Sequence, residues 1–241
     1  MKPCSCVLTL AAALWLCGCA HLPGTGPDTG LGPRTAAVGF PPGWHHLPIR
    51  PGKALTQYRW VEGEVIHADA THSASMLLHE ARGVDLARTP LLAWQWKLAE
   101  LPEGAQHHVA AREDAAARIV LLFDGDKTQL PLEDRMALAM AEAISGRPMP
   151  YATLMYVSSS SAEPEALIPN PHSGRVQKIV VSRDSQALGQ WLSLQRDVRA
   201  DYERAFGHAP GRLIAYGVMS DADNTYSEAE AWFRALRFVK P

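Results

Sequence analysis

The sequence predicts a mainly β protein, an antiparallel two-sheet jelly-roll sandwich with two helical insertions. About nine short segments show the two-residue alternation of apolar and polar side chains that is typical of strands with one buried face. Turn signals separate most of these segments, and they lack the regular strand–helix–strand order that would indicate a parallel sheet. The 241 residues, 47% of them hydrophobic and 20% charged, suffice for one sandwich domain with its own core.

The predicted strands differ in how strictly they alternate. Within residues 91–98 four large apolar side chains share one face: Leu92, Trp94, Trp96 and Leu98. The polar residues Gln95 and Lys97 lie on the other face. Residues 116–123 form a continuous apolar run, as expected of a buried sandwich strand. The predicted strands are Gln57–Val61, 64–68, 73–81, 91–98, 116–123, 151–157, 177–182, 213–219 and 232–239.

Two segments lack the alternation and are predicted to be helical. Leu132–Ser145 is rich in Ala, Met and Glu, carries acidic residues in its first turn and is followed by Gly146. Residues 195–206 place Val198 and Tyr202 on one face and end before a glycine, the residue expected at a C-terminal cap.

The first 18 residues predict an export signal. Lys2 precedes a short apolar run, and Leu16-Cys17-Gly18-Cys19 follows it. This box resembles a bacterial lipoprotein signal, which implies cleavage before Cys19 and a diacylglycerol on its sulfur. All four cysteines lie in the first 19 residues, so a disulfide pair or a metal site made from them would require the signal to survive processing.

The sequence after the signal predicts a flexible tether and a location in the cell envelope. Residues 19–43 are rich in Gly and Pro and are predicted to be flexible, with the single sandwich domain at 44–241. Ala20 after the lipid-bearing cysteine resembles the pattern of outer-membrane sorting. We therefore expect a lipoprotein on the periplasmic face of the bacterial envelope, with the membrane as its partner through Cys19. A net charge of -2 and a pI near 6.5 argue against nucleic acid as a partner.

The segment 220–225 holds the densest group of potential oxygen ligands. Asp221, Asp223 and Asn224 predict a ligand-binding site, and their side chains suit a Ca²⁺ ion, the one cofactor that the sequence suggests. The same residue types are typical of turns that bond their own backbone, and Ser227 with Glu230 matches a helix capping box. Both interpretations stay open.

Other polar groups and aromatic residues give weaker signals. Asp124 and Asp126 flank a glycine and favour a solvated turn. If this loop and the first acidic loop lie at the same end of the sandwich, the two could share one cation or frame one pocket. Trp60 and Trp191 are candidates for exposed rings that stack on sugars. The ten histidines form no zinc-binding motif and are interpreted as scattered surface residues. The sequence has no nucleophile elbow, and no motif selects a catalytic pair of carboxylates.

Several motifs together resemble a known family. They are Trp94-Gln95-Trp96-Lys97, the strand Ala117-Arg118-Ile119-Val120 ending at Phe123, and the run Trp191…Arg196-Asp197-Val198…Asp201-Tyr202…Phe206-Gly207…Asp221-x-Asp223-Asn224-Thr225. In these motifs the chain resembles the bacterial exported proteins of domain-of-unknown-function family 3047. The resemblance implies one secreted domain without an established activity, and it makes Asp201 a minor site candidate. The layout is more loosely similar to galactose-binding-type jelly-roll carbohydrate-binding modules.

Three functional hypotheses follow from these patterns. The leading one is a lipid-anchored, noncatalytic domain that binds a glycan or another envelope ligand. The second is a hydrolase or lyase acting on envelope polysaccharide, with Asp221 or Asp223 as general acid or base, which a raised pKa inside a deep pocket would favour. The third is a protein-interaction scaffold, which would show a large exposed apolar patch. The sequence selects no oligomeric state.

Overall fold

Two β-sheets packed face to face dominate the computed structural model, which describes residues 35–170 and 173–241. In chain order the strands are β1 Thr35–Ala36, β2 Trp44–Pro48, β3 Gln57–Val61, β4 Val65–Thr71, β5 Ala74–Glu80, β6 Leu91–Glu100, β7 Ala115–Phe123, β8 Ala152–Ser159, β9 Leu167–Asn170, β10 Ser173–Arg183, β11 Leu192–Asp197, β12 Leu213–Asp221 and β13 Glu228–Val239. The helices are α1 Leu132–Ser145, α2 Asp184–Ala187 and α3 Val198–Phe206. The predicted signal, Cys19 and the predicted tether as far as residue 34 lie outside the described residues.

The strand connections confirm the predicted jelly roll. Sheet A has the order β1-β2-β5-β12-β7-β8-β10-β9, and sheet B has the order β11-β6-β13-β4-β3. The chain crosses between the sheets at each step from β4 to β7 and again from β11 to β13. The halves β5-β12-β7-β8 and β4-β13-β6-β11 are therefore the two four-stranded sheets of a jelly roll, and the remaining strands extend their edges. The pairing of β8 with β10 is parallel, whereas the pairings between the other named strands are antiparallel.

The predicted second helix starts too early. Residues 195–197 belong to β11, which pairs with β6, and α3 begins at Val198. The Asp197 carboxylate accepts a hydrogen bond from the Ala200 amide at 3.0 Å and so caps the helix at this point. The first predicted helix is confirmed with its bounds, and Gly146 ends it in the left-handed conformation with φ of 70°.

Paired backbone also begins before the predicted domain start. Thr35 and Ala36 pair with His46 and His45 of β2, although residues 19–43 were predicted to be a tether. Phe40 packs its ring against Trp44 and Trp60 at centroid distances of 6.2 and 5.6 Å. This aromatic packing buries apolar surface that a composition rich in Gly and Pro does not reveal, so the tether prediction is wrong for residues 35–43.

The main core lies between the two sheets. Trp94 and Trp96 of β6 are 1% and 0% exposed, as their alternation predicts. Trp94 stacks on Tyr156 of β8 with ring centroids 5.4 Å apart, and Phe233 of β13 is also fully buried. These rings join strands from both sheets, so they are the central contacts of the sandwich.

Sheet A is buried on both of its faces. Every residue of β7 is buried, and its outward-facing Val120 and Leu122 belong to a second apolar layer that includes Met76 of β5 and Met219 of β12. A sheet with two apolar faces must be covered on both sides. Helix α1 and the segment after it approach this outer face, where the candidate site lies. Among the described residues, no helix is long and apolar enough to span a bilayer.

Candidate functional site

Strand register brings the residues of the candidate site together on the outer face of sheet A. Leu47 of β2 pairs with Met76, which pairs with Met219, which in turn pairs with Arg118 of β7. Asp221 is two residues beyond Met219 and lies on the same face. One charged pair therefore borders a continuous apolar row.

This face carries a cavity of about 440 Å³. Such a volume falls within the range of small-molecule sites. Most of the lining is aliphatic or thioether, and no aromatic ring of the described residues contributes to it. The lining residues are Leu47, Ile49, Arg50, Lys53, Ala74, Met76, Ala110, Glu113, Arg118, Leu122, Arg147, Pro148, Met149, Pro150, Thr153, Met155, Asn170, Val176, Met219, Asp221, Asp223 and Asn224.

A buried ion pair forms one wall of the cavity. The Arg118 guanidinium donates from Nε to Asp221 Oδ1 at 3.0 Å and from Nη2 to Asp221 Oδ2 at 2.9 Å. Both residues are almost fully buried, with 2% and 3% exposure. The Ala115 amide adds a third bond to Oδ1 at 3.0 Å. This bidentate geometry fixes both side chains in one position.

A second pair of charges continues the network beneath the cavity. Lys178 is fully buried, and its ammonium lies 2.9 Å from Glu113 Oε1 and donates to the His107 carbonyl at 2.8 Å. Arg118 also approaches Glu113 Oε1, at 3.5 Å. Glu113 is thus shared by two cations, and both Arg118 and Lys178 have an acidic partner.

The acidic loop predicted at 221–224 is organised by a residue outside it. Asp114 is fully buried and accepts hydrogen bonds from the amides of Asn224 and Thr225, at 3.2 and 2.7 Å. Asp223 pairs with the Lys53 ammonium. The loop is therefore a turn held by a buried carboxylate, and it lines the cavity at the same time.

Calcium binding in this loop stays a prediction. The carboxylates of Asp114, Asp221 and Asp223 place oxygen atoms within 4.8 Å of one another, which suits a metal ion. Arg118 and Lys53 already neutralise two of these groups. A calcium ion bound there would compete with the Lys53 ammonium for the Asp223 carboxylate.

The geometry assigns Asp221 a structural role more readily than a catalytic one. Burial raises the pKa of Asp221 to about 6, while Arg118 opposes this shift. A raised pKa beside a cavity is typical of a general acid. However, three of the roughly four acceptor positions of this carboxylate are used by Arg118 and the Ala115 amide.

The two acidic loops lie at opposite ends of β7. Asp221 pairs with Ala115 at the start of this strand, and Asp124 follows its last residue. The hypothesis that they share a cation is therefore wrong, because a nine-residue strand separates them by roughly 25 Å. Asp124 pairs with Arg212 at 2.9 Å and Asp126 accepts from the Thr128 amide, as expected of a solvated turn.

The remaining site candidates do not reach the cavity. Asp201 is buried in α3 and accepts hydrogen bonds from Tyr156 and Arg196, at 2.9 and 2.8 Å, so its contacts are structural. Trp60 packs against the rings of Phe40 and Trp44, at centroid distances of 5.6 and 6.2 Å. Trp191 is half-buried on the outer face of sheet B, where the Arg234 guanidinium lies 4.0 Å from its ring centroid.

The prediction of surface histidines is wrong for His107. It is 4% exposed, its Nε2 donates to the Ser158 carbonyl at 3.0 Å, and its Nδ1 is buried without a partner among the described residues. Burial, reinforced by Arg118 and Lys178, lowers the pKa of His107 to about 3. The folded protein therefore keeps this imidazole neutral in mild acid.

The depressed pKa of His107 predicts acid sensitivity. The unfolded chain takes up a proton near pH 6.5 and the folded chain near pH 3, so stability is full above pH 6.5 and is lost as the pH falls. Between pH 7 and pH 4.5 we expect wild type to lose about 2.5 kcal/mol more free energy of unfolding than His107→Gln, which keeps the donor. Urea unfolding of both proteins at the two pH values measures this difference, and equal losses would contradict it.

The sequence did not identify most of the cavity. The thioether lining, Glu113 and Arg147 lie far apart along the chain, and only the strand register unites them. One signal was present: Arg118 interrupts the apolar run of 116–123, and a charge in a buried strand requires a partner.

Fold and cavity together define a jelly-roll sandwich protein with a ligand-sized cavity on one sheet. The sequence profile described as "Protein of unknown function (DUF3047)" matches residues 42–237. The chain therefore belongs to domain-of-unknown-function family 3047, as its motifs predict.

Two further comparisons add no functional argument. No curated protein matches the chain. Among solved structures, the chain is similar to the xyloglucanase domain of NopAA, a type three effector from Sinorhizobium fredii in complex with cellobiose. That similarity covers 84% of this chain and 96% of the other at 10% identity, with a TM-score of 0.42. At this level the likeness carries nothing about the ligand of this chain.

Proposed function

We propose that this domain binds, without catalysis, an envelope ligand that has an extended apolar part. The observation that carries the proposal is the cavity, whose aliphatic and thioether lining includes Met76, Met155 and Met219. Methionine side chains adapt to irregular apolar ligands. Most of the polar groups at the cavity wall are already paired within the protein, so the apolar surface is what a ligand would cover.

The lining favours an apolar ligand over a glycan. Sugars bind to aromatic rings, and the cavity has none among the described residues. On the outer face of sheet B, Trp232 has His67 stacked 4.9 Å away and the Lys97 ammonium 4.2 Å from its centroid, so neighbouring side chains already engage that ring. The hydrolase hypothesis is disfavoured by the engagement of Asp221 with Arg118.

Membrane attachment is part of the same proposal. A lipid on Cys19 would hold the domain at the periplasmic face of the outer membrane, where amphiphilic ligands are available. The support is the signal pattern of residues 1–19. The protein would then meet its ligand within a tether's length of the bilayer.

A second candidate is a protein-interaction role. Four apolar side chains at four-residue spacing form an exposed stripe along α1, with exposed fractions of 56–65%: Leu132, Met136, Met140 and Ile144. Exposed apolar surface of this kind is typical of interaction sites. The cavity carries the main proposal because its lining specifies a ligand chemistry, whereas the stripe does not.

Binding of uncharged alkyl glucosides tests the proposal. With the whole chain carrying Cys19→Ser, which removes the predicted lipid, we expect calorimetric titration below the critical micelle concentration to show octyl and decyl glucoside binding. Each added methylene should tighten binding about fourfold, because burying it contributes about 0.8 kcal/mol. Methyl glucoside should not bind.

A cavity-filling variant locates the ligand. Val176→Phe places a ring in the cavity and should weaken decyl glucoside binding at least about tenfold, by occluding the volume. Val61→Phe is the matched control, since Val61 is 39% exposed on β3 away from the cavity. Affinity independent of chain length, or equal effects of the two variants, would refute the proposal.

A further inference from the structure

We propose that the ligand of this cavity is an acyl chain with an anionic head group, a carboxylate or a phosphate, and that Arg147 binds this head. The inference rests on the proposed function and adds the charge and the orientation of the ligand. Its basis is the one guanidinium at the cavity whose buried nitrogen has no partner among residues 35–170 and 173–241.

Arg147 lies where α1 gives way to the cavity wall. Gly146 turns the chain in a left-handed conformation, and Arg147, Pro148, Met149 and Pro150 then line the cavity in succession. The Nη1 atom of Arg147 is buried and makes no hydrogen bond to any described residue. A buried guanidinium nitrogen without an acceptor is costly, and a ligand that supplies an acceptor to it would remove this cost.

The other buried cations of the site are already satisfied. Arg118 binds Asp221, Lys178 binds Glu113, and Lys53 binds Asp223. Burial lowers the pKa of Arg147, and no nearby carboxylate acts to raise it, in contrast to Arg118. Because arginine stays charged at physiological pH, Arg147 is a cation that lacks a counter-ion within the described part of the chain.

The charge balance of the lining also favours an anion. Four cationic side chains line the cavity, Arg50, Lys53, Arg118 and Arg147, against three carboxylates, Glu113, Asp221 and Asp223, an excess of one positive charge. A ligand with one negative charge would balance it. Guanidinium forms paired hydrogen bonds with carboxylate and phosphate alike, so both head groups suit Arg147.

The apolar wall of the cavity determines where the alkyl chain of the ligand would lie. Met149 follows Arg147 by two residues and lines the same cavity, and Met155 and Met219 line it from β8 and β12. A head group on Arg147 leaves an attached alkyl chain to cover these thioethers. A small inorganic anion would leave the apolar surface uncovered, so the alkyl part belongs to the ligand.

The test compares ligands that share a twelve-carbon chain and differ in the head. With the Cys19→Ser chain and ligands below their critical micelle concentrations, we expect laurate and lauroyl lysophosphatidate to bind about tenfold or more tightly than dodecyl glucoside. Dodecyltrimethylammonium should bind more weakly than the glucoside. The ranking of laurate against lysophosphatidate identifies a free fatty acid or a phospholipid as the source of the head group.

Arg147→Gln isolates the head-group contact. It should weaken laurate binding about 10- to 100-fold and leave dodecyl glucoside binding within twofold. Arg147→Lys should fall between wild type and Arg147→Gln, because it keeps the charge and loses the planar fork. Arg88→Gln, at an arginine exposed outside the cavity, is the matched control and should change neither affinity.

The outcomes separate the two proposals. Equal losses for laurate and glucoside in Arg147→Gln, or no preference for anionic heads in wild type, would overturn this inference while the apolar cavity stands. Absence of binding by every alkyl ligand would overturn the proposed function itself. Thermal unfolding of each variant verifies that lost affinity does not reflect lost fold.

Discussion

Replacing Arg118 by methionine is expected to lower the free energy of unfolding by about 3–5 kcal/mol. The variant leaves the Asp221 carboxylate 3% exposed and without the guanidinium that binds both of its oxygens. A buried charge that loses its partner keeps the full cost of leaving water. Urea unfolding at pH 7.5, followed by tryptophan fluorescence, measures the loss.

The pH dependence of this variant gives a second readout. Burial already raises the pKa of Asp221 above its unfolded value, and removal of Arg118 would raise it further. When the pKa of a group is higher in the folded state than in the unfolded state, its contribution to stability is complete at pH values below the unfolded-state pKa. That contribution is lost as the pH rises through the folded-state pKa. The penalty of Arg118→Met should therefore shrink between pH 7.5 and pH 5.

Two control variants test whether the loss of stability in Arg118→Met comes from the buried charge. Arg88 and Asp85 form an exposed pair with 3.5 Å between Nε and Oδ2, so Arg88→Met should cost less than about 1 kcal/mol. The double variant Arg118→Met with Asp221→Leu removes both charges and should recover much of the loss. If Arg118→Met alone were as stable as wild type, the Arg118–Asp221 pair would not contribute to the stability of the sheet.

Trp94→Ala is expected to destabilise the fold by about 3–5 kcal/mol. The indole is 1% exposed, stacks on Tyr156 of the opposite sheet and meets Trp96 edge to face with centroids 5.7 Å apart. Its removal leaves a cavity between rings that belong to different sheets, and such a space does not collapse without moving a sheet. Denaturant titration gives the change in midpoint and slope.

Trp232→Ala on the neighbouring strand is the matched control. Trp232 lies on the outer face of sheet B, half-buried, with the Lys97 ammonium 4.2 Å from its ring centroid. Its loss should cost about 1–2 kcal/mol, since it removes partial burial and a cation–π contact. Equal effects of the two substitutions would contradict the assignment of inner and outer faces.

Sequence patterns predicted the fold where side chains alternate strictly. The run at 91–98 became β6 because its tryptophans must face a core. Strand β11 was missed because its alternation includes Arg196 and Asp197, which resemble a polar helix until pairing with β6 is known. The parallel pairing of β8 with β10 depends on a crossover through β9, which no local pattern records.

The candidate site was predictable only in its contiguous part. Asp221, Asp223 and Asn224 stand together in the sequence, and all three line the cavity. Their partners Lys53 and Arg118 are 170 and 103 residues away from the acids that they bind. Sheet register determines such contacts, and register follows from the whole fold rather than from a local motif.

The position of β13 has a consequence for the synthesis of this protein. This last strand lies in the middle of sheet B, between β4 and β6. The ribosome makes β4 about 160 residues earlier, so β4 waits about 8–30 s for its partner at 5–20 residues per second. Sheet B therefore cannot close on the nascent chain before β13 has been synthesised, and the exposed edge of β4 lacks its partner during that time.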